Sequence, residues 1–332
     1  MIYTKLSAPL HNPILNNNSE DAHSITPKNI FDSGSALIVY TTYEDLPNFY
    51  DESKTDFNNL FEILHCLVKE DVDWRVQFDV VENLRIINKY SPKQFQTYLT
   101  QFSVFLQRCI DNLRTNLSKN TLLLMKELFL HFRDINPSEE FLSINLSKVL
   151  EKAISDKAFI KTEARSALKV LEKTGCSNSV IKVLCERTFD KNPLISELSF
   201  QTLSETIKEA KENLTGFLNQ DYIELLFITI AKTIDGKRAA SKRVAEELCQ
   251  QLKGGLPGTE AELEGYLKGN MKLKDYDARL IVKAMQTKSI KTANKSDFSS
   301  FLKERKMKKE LGNKEEENKM SDISPMNQDD EL

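Results

Sequence analysis

The residues best placed for chemistry in this sequence are cations and one tryptophan, all in short polar turns between helix-like segments. Six such turns centre near residues 72, 115, 157, 192, 237 and 271. The first turn, "EDVDWR", contains Trp74, the only tryptophan of the chain, and Arg75 follows it directly. An exposed tryptophan beside positive charge is typical of a surface that binds an acidic protein partner. A core position for Trp74 is the alternative.

Basic residues recur in all six turns, and in five of them an aspartate comes first. We expect each aspartate to cap the helix that follows, because a carboxylate accepts hydrogen bonds from free N–H groups there. The cations gain nothing from the helix dipole at that end. For any single turn the alternative is a solvated helix end, where Lys and Arg are common. The aspartates are Asp73, Asp111, Asp156, Asp190 and Asp235. The predicted binding residues are Trp74, Arg75, Arg114, Lys119, Lys157, Lys161, Lys191, Lys237, Arg238 and Lys242.

The elements that must position these turns are paired amphipathic helices. From about residue 54 to about 287 apolar residues recur with helical spacing, and the turns repeat every 34 to 45 residues, roughly the period of HEAT-type helical pairs. Each pair exposes an apolar face that only a neighbouring pair can cover. The sequence therefore predicts an all-α fold, a HEAT-repeat α-solenoid of about six helical pairs. In a solenoid the turns of one type lie along one edge.

The two ends of the chain differ from this middle part. Residues 1–52 are rich in Asn, Pro and Ser and form a predicted extended arm, whose best strand candidate is "SALIVYTTY" (Ser35 to Tyr43). Its apolar islands could order against the protein's own body or lie along a neighbouring subunit. Residues 53–287 form the predicted helical domain. Residues 288–332 form a predicted charged, disordered tail that is basic at first and acidic at its end, and that either binds an acidic surface through its basic part or has no role.

Composition narrows the function classes. A net charge of −3 argues against a general nucleic-acid binder, and no apolar run approaches the ~18 residues of a membrane span. The five cysteines lack CxxC spacing, so we expect reduced thiols, with Cys66 and Cys249 as small core residues, and no metal site. Phosphate-loop, GxSxG and HExxH motifs are missing, and the four histidines lie far apart. We expect no enzyme activity and no cofactor.

Four stretches resemble TOG domains, the tubulin-binding HEAT paddles, with CLASP-like and ciliary TOG-array proteins most similar. They are "DW" with the helix that ends "LRII", then "LRTNLSKNTLLLMKELF", "SDKAFIKTEARSAL" and "SKRVAEELC". The resemblance implies a single TOG-like paddle that binds tubulin or the microtubule lattice without catalysis. It places the protein in the cytoplasm on the cytoskeleton, in the cilium or axoneme. The implied tubulin contacts are Trp74, Arg114, Lys157 or Lys161, Lys191, Lys237, Arg238 and Lys242.

Two other functions stay open at this stage. A HEAT-type adaptor would bind a protein partner in its concave face without touching tubulin, and the basic turns would then be incidental. A permanent lattice component would be held by the N-terminal arm, which could also contact other ciliary proteins.

Overall fold

The described part of the protein is helical throughout. The computed structural model describes residues 40–48, 55–68, 72–135, 137–210, 218–253 and 259–286, and these ranges contain no β-strand. The all-α prediction is confirmed. The helices are α1 (Phe57–Cys66), α2 (Trp74–Tyr90), α3 (Pro92–Leu99), α4 (Ser103–Asp111), α5 (Thr115–Leu130), α6 (Phe132–Ile135), α7 (Glu139–Lys152), α8 (Ala158–Thr174), α9 (Asn178–Arg187), α10 (Pro193–Ala210), α11 (Gln220–Asp235), α12 (Ala239–Leu252), α13 (Glu260–Gly269) and α14 (Asp275–Gln286).

The helices stack in two layers, as a solenoid of helical pairs requires. Helices α2, α5, α8, α10 and α12 pack against one another in that order and form one layer, which we call the B layer. Helices α4, α7, α9 and α11 form the second layer, the A layer, and each also packs against the B-layer helix that follows it. The side chains between the layers are buried Leu, Ile, Val and Phe. Burial of each such side chain stabilises the fold by about 1.5–3 kcal/mol.

The first helix of the second predicted pair is divided into shorter elements in the structure. Apolar spacing from residue 95 to 113 predicts one helix, but the chain forms α3, a 3₁₀ turn (Thr100–Phe102) and α4. Phe95, Leu99 and Phe102 are all buried through this break. Phe61 stacks on Tyr98 with ring centroids 4.0 Å apart, so α3 covers α1.

Part of the N-terminal arm crosses the B layer over its first two helices. We call residues 40–46 the strap. The Tyr40 hydroxyl donates to Asn116 Oδ1 at 2.6 Å, and Leu46 is buried. The Tyr43 hydroxyl lies 2.6 Å from His131 Nε2. This end of the arm therefore orders against the protein's own body. Tyr40 to Tyr43 are not a strand, and the rest of the strand candidate lies outside the described residues.

A buried arginine joins the strap to both helices beneath it. Arg85 of α2 is 1% exposed and donates to both carboxylate oxygens of Glu127 on α5, at 2.6 to 3.1 Å. Its other nitrogens donate to Asn120 Oδ1 at 2.9 Å and to the Thr41 carbonyl at 2.8 Å. Burial raises the pKa of the Glu127 carboxyl, and the Arg85 guanidinium opposes that rise. The cluster holds three chain segments together.

One carboxylate on α2 makes stability depend on pH. Burial, and then the nearby Glu82 carboxylate, raise the pKa of Asp79 from 3.8 to about 6. The folded chain then binds more protons than the unfolded chain between pH about 4 and 6, so stability falls as pH rises through that window. We expect Asp79→Asn to stabilise the protein by about 1–2 kcal/mol at pH 7 and by little at pH 4, after allowance for partial solvent screening. Thermal melts at both pH values measure this, and equal gains at both would contradict it.

The cysteine predictions are partly corrected. None of the five cysteines is in a disulfide; Cys109, Cys185 and Cys249 are buried, and burial raises the pKa of each to about 12. Cys249 is a core residue as predicted. Cys66 is exposed, because it is the last residue of α1 and faces away from the buried stripe of that helix. The predicted tail, residues 288–332, and most of the arm lie outside the described residues.

Candidate functional site

The six turns between paired helices lie along one edge of the solenoid. Five of the turns lead into the five B-layer helices. These helices pack in chain order, so their N-termini share an edge. We call this the turn edge. It comprises residues 67–68, 72–73, 112–114, 153–157, 188–192, 236–238 and 270–274 with the first residues of the helices that follow. The opposite edge carries the C-termini of the B layer, roughly 24 Å away along the 16 residues of α5.

Contacts between side chains join the first three turns. The Arg114 guanidinium of the second turn lies 5.8 Å from the Trp74 ring centroid of the first. Asp111, at the second turn, forms ion pairs of 2.9 Å with Lys148 and 3.0 Å with Lys152, near the end of the helix that leads to the third turn. The first half of the turn edge is therefore continuous.

The later turns are joined in the same way. A shallow cleft of about 240 Å³ separates the third turn from the fourth, with Lys161 on one side and Leu194 on the other. The Lys232 ammonium at the end of α11 lies 5.5 Å from the Phe189 ring centroid of the fourth turn. The Tyr276 hydroxyl donates to Asp235 Oδ1 at 2.6 Å, which joins the sixth turn to the fifth. All six turns thus belong to one surface.

The predicted capping role of the aspartates is right for one of the five. Asp73 accepts from the Arg75 amide at 2.8 Å and caps α2. Asp111 and Asp235 are the last residues of the preceding helices and bond neighbouring segments instead. Asp190 accepts from the Asn192 amide and pairs with Arg187 at 2.8 Å. At the third turn Ser155, not Asp156, accepts from the amide of Lys157. Asp111 and Asp235 stand three residues before the N-cap of the next helix and Asp156 stands one before it, which is not the position from which a side chain caps a helix.

At three of the turns the N-cap residue of the next helix is a cation. Arg114, Lys157 and Arg238 are the N-cap residues of α5, α8 and α12, and none forms a side-chain cap hydrogen bond. A cation is a poor N-cap, because it cannot accept from the free amides and opposes the helix dipole. The opposite edge is different. Four helices there begin with side chains that accept the capping hydrogen bond, namely Asp56, Ser138, Ser177 and Thr259.

Trp74 lies at the end of the turn edge and is half-buried. It is therefore neither a fully exposed binding residue nor a fully buried core residue, the two positions considered from the sequence. Part of the indole packs against the core. The rest lines a cleft of about 230 Å³ together with Leu113, Arg114 and Asn116. Arg75 lies 5.7 Å from the ring centroid, so two guanidinium groups flank the indole. The ring is held in place on one side and accessible on the other.

The other predicted binding residues differ in exposure. Lys119 is half-buried, and its ammonium lies 4.2 Å from the Tyr40 ring centroid, so the strap covers it. Lys161 is half-buried in the cleft beside Leu194. The remaining cations are exposed and form no ion pair with another described residue. They are Lys157, Lys191, Lys237, Arg238 and Lys242.

Sequence analysis missed a row of exposed apolar side chains on the same edge. The available signal was a large apolar residue within or directly after four of the six polar turns, the second, third, fourth and sixth. We call these residues the apolar row: Leu113, Phe159, Phe189, Leu194 and Tyr276.

The described ranges contain neither a metal site nor a membrane span. They hold no group of three or more His, Cys, Asp or Glu residues arranged to bind a metal ion. No helix in them is long and apolar enough to cross a bilayer.

Comparison with known proteins gives structural likeness only. No protein-family model matches the chain. No curated protein matches it either. Among solved structures the chain is similar to a TOG domain from C. elegans Zyg9, with 15% identity and a TM-score of 0.44, over 73% of this chain and 91% of that one. It is also similar to an engineered protein, with 11% identity and a TM-score of 0.32, over 68% of this chain and 96% of that one. A TOG domain, the family predicted from the sequence, is thus among the similar structures.

Proposed function

We propose that this protein binds tubulin, as free dimers or in the microtubule lattice, through its turn edge, and that it acts as a non-catalytic microtubule-associated factor. The observation that carries the proposal is the set of cations at the N-cap positions of α5, α8 and α12. These residues cost helix stability, so a use outside the fold accounts for them better than packing does.

The charge balance of the turn edge supports an acidic partner. Three of its aspartates are engaged within the protein: Asp111 with two lysines, Asp190 with Arg187, and Asp235 with Tyr276. Five exposed cations of this edge form no ion pair with another described residue, namely Lys157, Lys191, Lys237, Arg238 and Lys242. A row of unneutralised positive charge attracts an acidic protein surface, and that attraction weakens with salt.

The position of the strap favours the turn edge over the adaptor function. A partner that binds across α2 and α5 on their outer side would meet residues 40–46, which already bond to Arg85, Asn116 and His131.

Replacing the three cations with serine should change stability and binding in opposite directions. In Arg114→Ser/Lys157→Ser/Arg238→Ser each serine can accept the capping hydrogen bond, so we expect a gain of about 0.5–1 kcal/mol per site. Loss of three positive charges should weaken binding to labelled tubulin by about tenfold or more at low salt. Urea unfolding measures the first effect, and gel filtration with a fluorescence titration measures the second.

The matched control lies on the opposite edge. Ser138→Ala/Ser177→Ala removes two working caps, so it should lower stability by about 1 kcal/mol per site and leave tubulin binding unchanged. A wild-type protein that binds neither free tubulin nor microtubules would refute the proposed function. Binding that survives the triple serine variant would show that the turn edge is not the site.

The narrower part of the proposal is a ciliary or axonemal location. It is supported by the likeness of the turn sequences to ciliary TOG-array domains. A tagged chain expressed in ciliated cells should lie along the axoneme. A signal confined to cytoplasmic microtubules would remove this part and leave the tubulin interaction in place.

A further inference from the structure

Exposed apolar side chains are concentrated on the turn edge. Seven large apolar residues in the described ranges are exposed, at 46 to 90% of their surface. Five of them form the apolar row. The other two, Val104 and Leu130, lie at the start of α4 and the end of α5, on the opposite edge.

The fold leaves about half or more of each side chain of the apolar row exposed. Leu113 lies between α4 and α5 and is 90% exposed, although a polar residue would suit a solvated turn. Phe159, Leu194 and Tyr276 are each the second residue of the helix that follows a turn, and each lies outside the buried face of its helix. A large apolar side chain left in water forgoes about 1.5–3 kcal/mol that burial would supply. Contiguous exposed apolar surface rimmed by charge is a mark of a protein interface.

The apolar row alternates with the exposed cations along the same surface. Phe159 follows Lys157 by two residues, and Leu194 follows Lys191 by three. Successive B-layer helices pack about 8–10 Å apart, so the turns present these groups at similar intervals. The cleft between the third and fourth turns shows the pattern at one point. Leu194 and Leu198 line it beside Lys161 and Arg165, with Glu197 as the single acid.

We propose that the apolar row anchors the folded surface of tubulin by burial, and supplies the part of the binding free energy that does not depend on salt. This inference rests on the proposed function and deepens it. The cations attract and orient the acidic partner, and the apolar side chains are then desolvated against apolar positions between its carboxylates. A flexible acidic chain would engage the cations alone, because it offers no apolar surface to cover Phe159 and Leu194.

The test compares three double variants with the wild type in titrations of labelled tubulin at low and at high salt. Phe159→Ser/Leu194→Ser should weaken binding by about tenfold or more at both salt concentrations and leave the salt dependence unchanged. Lys237→Ala/Arg238→Ala should weaken binding at low salt, flatten the salt dependence and approach the wild type at high salt. Val104→Ser/Leu130→Ser, on the opposite edge, should bind as the wild type does.

Each result either supports or refutes the proposed role of the apolar row. All substituted residues are exposed, so we expect melting temperatures within a few degrees of the wild type, as for ordinary surface changes. If the charge variant loses affinity and the Phe159/Leu194 variant does not, the proposed function stands and the role of the apolar row is refuted. The same holds if the apolar variant reduces the salt dependence. If the wild type binds no tubulin, both proposals fall.

Discussion

Replacing Arg85 with alanine is expected to lower the free energy of unfolding by about 3–5 kcal/mol, the largest effect of any single substitution considered for the fold. The change leaves the Glu127 carboxylate 3% exposed and without its cation. It also removes the donors to Asn120 Oδ1 and to the Thr41 carbonyl. A buried charge whose partner is deleted keeps its desolvation penalty and loses the compensating attraction.

A double-mutant cycle separates the contribution of the ion pair to stability from the contribution of the volume that the two side chains fill. Arg85→Met and Glu127→Met should each be strongly destabilising, whereas the two together should cost much less, because no buried charge is then left alone. Urea unfolding followed by far-UV circular dichroism gives the four free energies. An Arg85→Ala protein within 1 kcal/mol of the wild type would show that water or rearrangement compensates Glu127.

The same cluster bears on the predicted boundary between arm and domain at residues 52 and 53. A chain truncated at residue 53 loses the strap, and with it the Thr41 carbonyl that accepts from Arg85 and the buried Leu46 side chain. We expect such a chain to keep the helical fold with lower stability in its first two pairs. The boundary stays a proposal, and the strap is functionally part of the helical domain.

Much of the fold could be predicted because its information is local. Helices α2, α8, α10 and α12 begin and end where apolar spacing and turn residues predict. The break between α3 and α4 could not be predicted, since the 3₁₀ turn preserves the three- and four-residue spacing of Phe95, Leu99 and Phe102. The strap could not be predicted either, because Tyr40 meets Asn116 of α5 and Thr41 meets Arg85 of α2 across 76 and 44 residues of chain.

The features of the candidate site also divide into those set by local sequence and those set by distant contacts. The positions of Arg114, Lys157 and Arg238 on one edge follow from the repeat, so the sequence predicted them. Whether a lysine on that edge is available depends on contacts distant in sequence, which is why the contact between Lys119 and Tyr40 could not be predicted. Four of the five aspartates are not caps, because the length of each turn, and not residue type alone, decides which amide a carboxylate reaches.

Replacing Trp74 with alanine is expected to weaken tubulin binding by about 30-fold or more, which corresponds to about 2 kcal/mol. The indole is held by the core on one side and flanked by the guanidinium groups of Arg75 and Arg114, so it is ordered before the partner arrives. An ordered aromatic loses little conformational freedom on binding, which makes it an effective anchor. Trp74→Phe should retain part of the affinity, because a smaller ring keeps some of the apolar contact.

The single tryptophan also allows a direct observation. A chain labelled with fluorotryptophan gives one ¹⁹F resonance, from Trp74 alone, and unlabelled tubulin should shift or broaden it at concentrations that match the binding curve. Because the ring also packs on the core, melting curves of Trp74→Ala and Trp74→Phe must accompany the affinities. A variant that loses binding but keeps the melting temperature of the wild type assigns the effect to the interface. A resonance that stays unperturbed while tubulin is bound would place the contact elsewhere, since a ring that lines the cleft with Leu113 and Asn116 cannot be covered without a change in its surroundings.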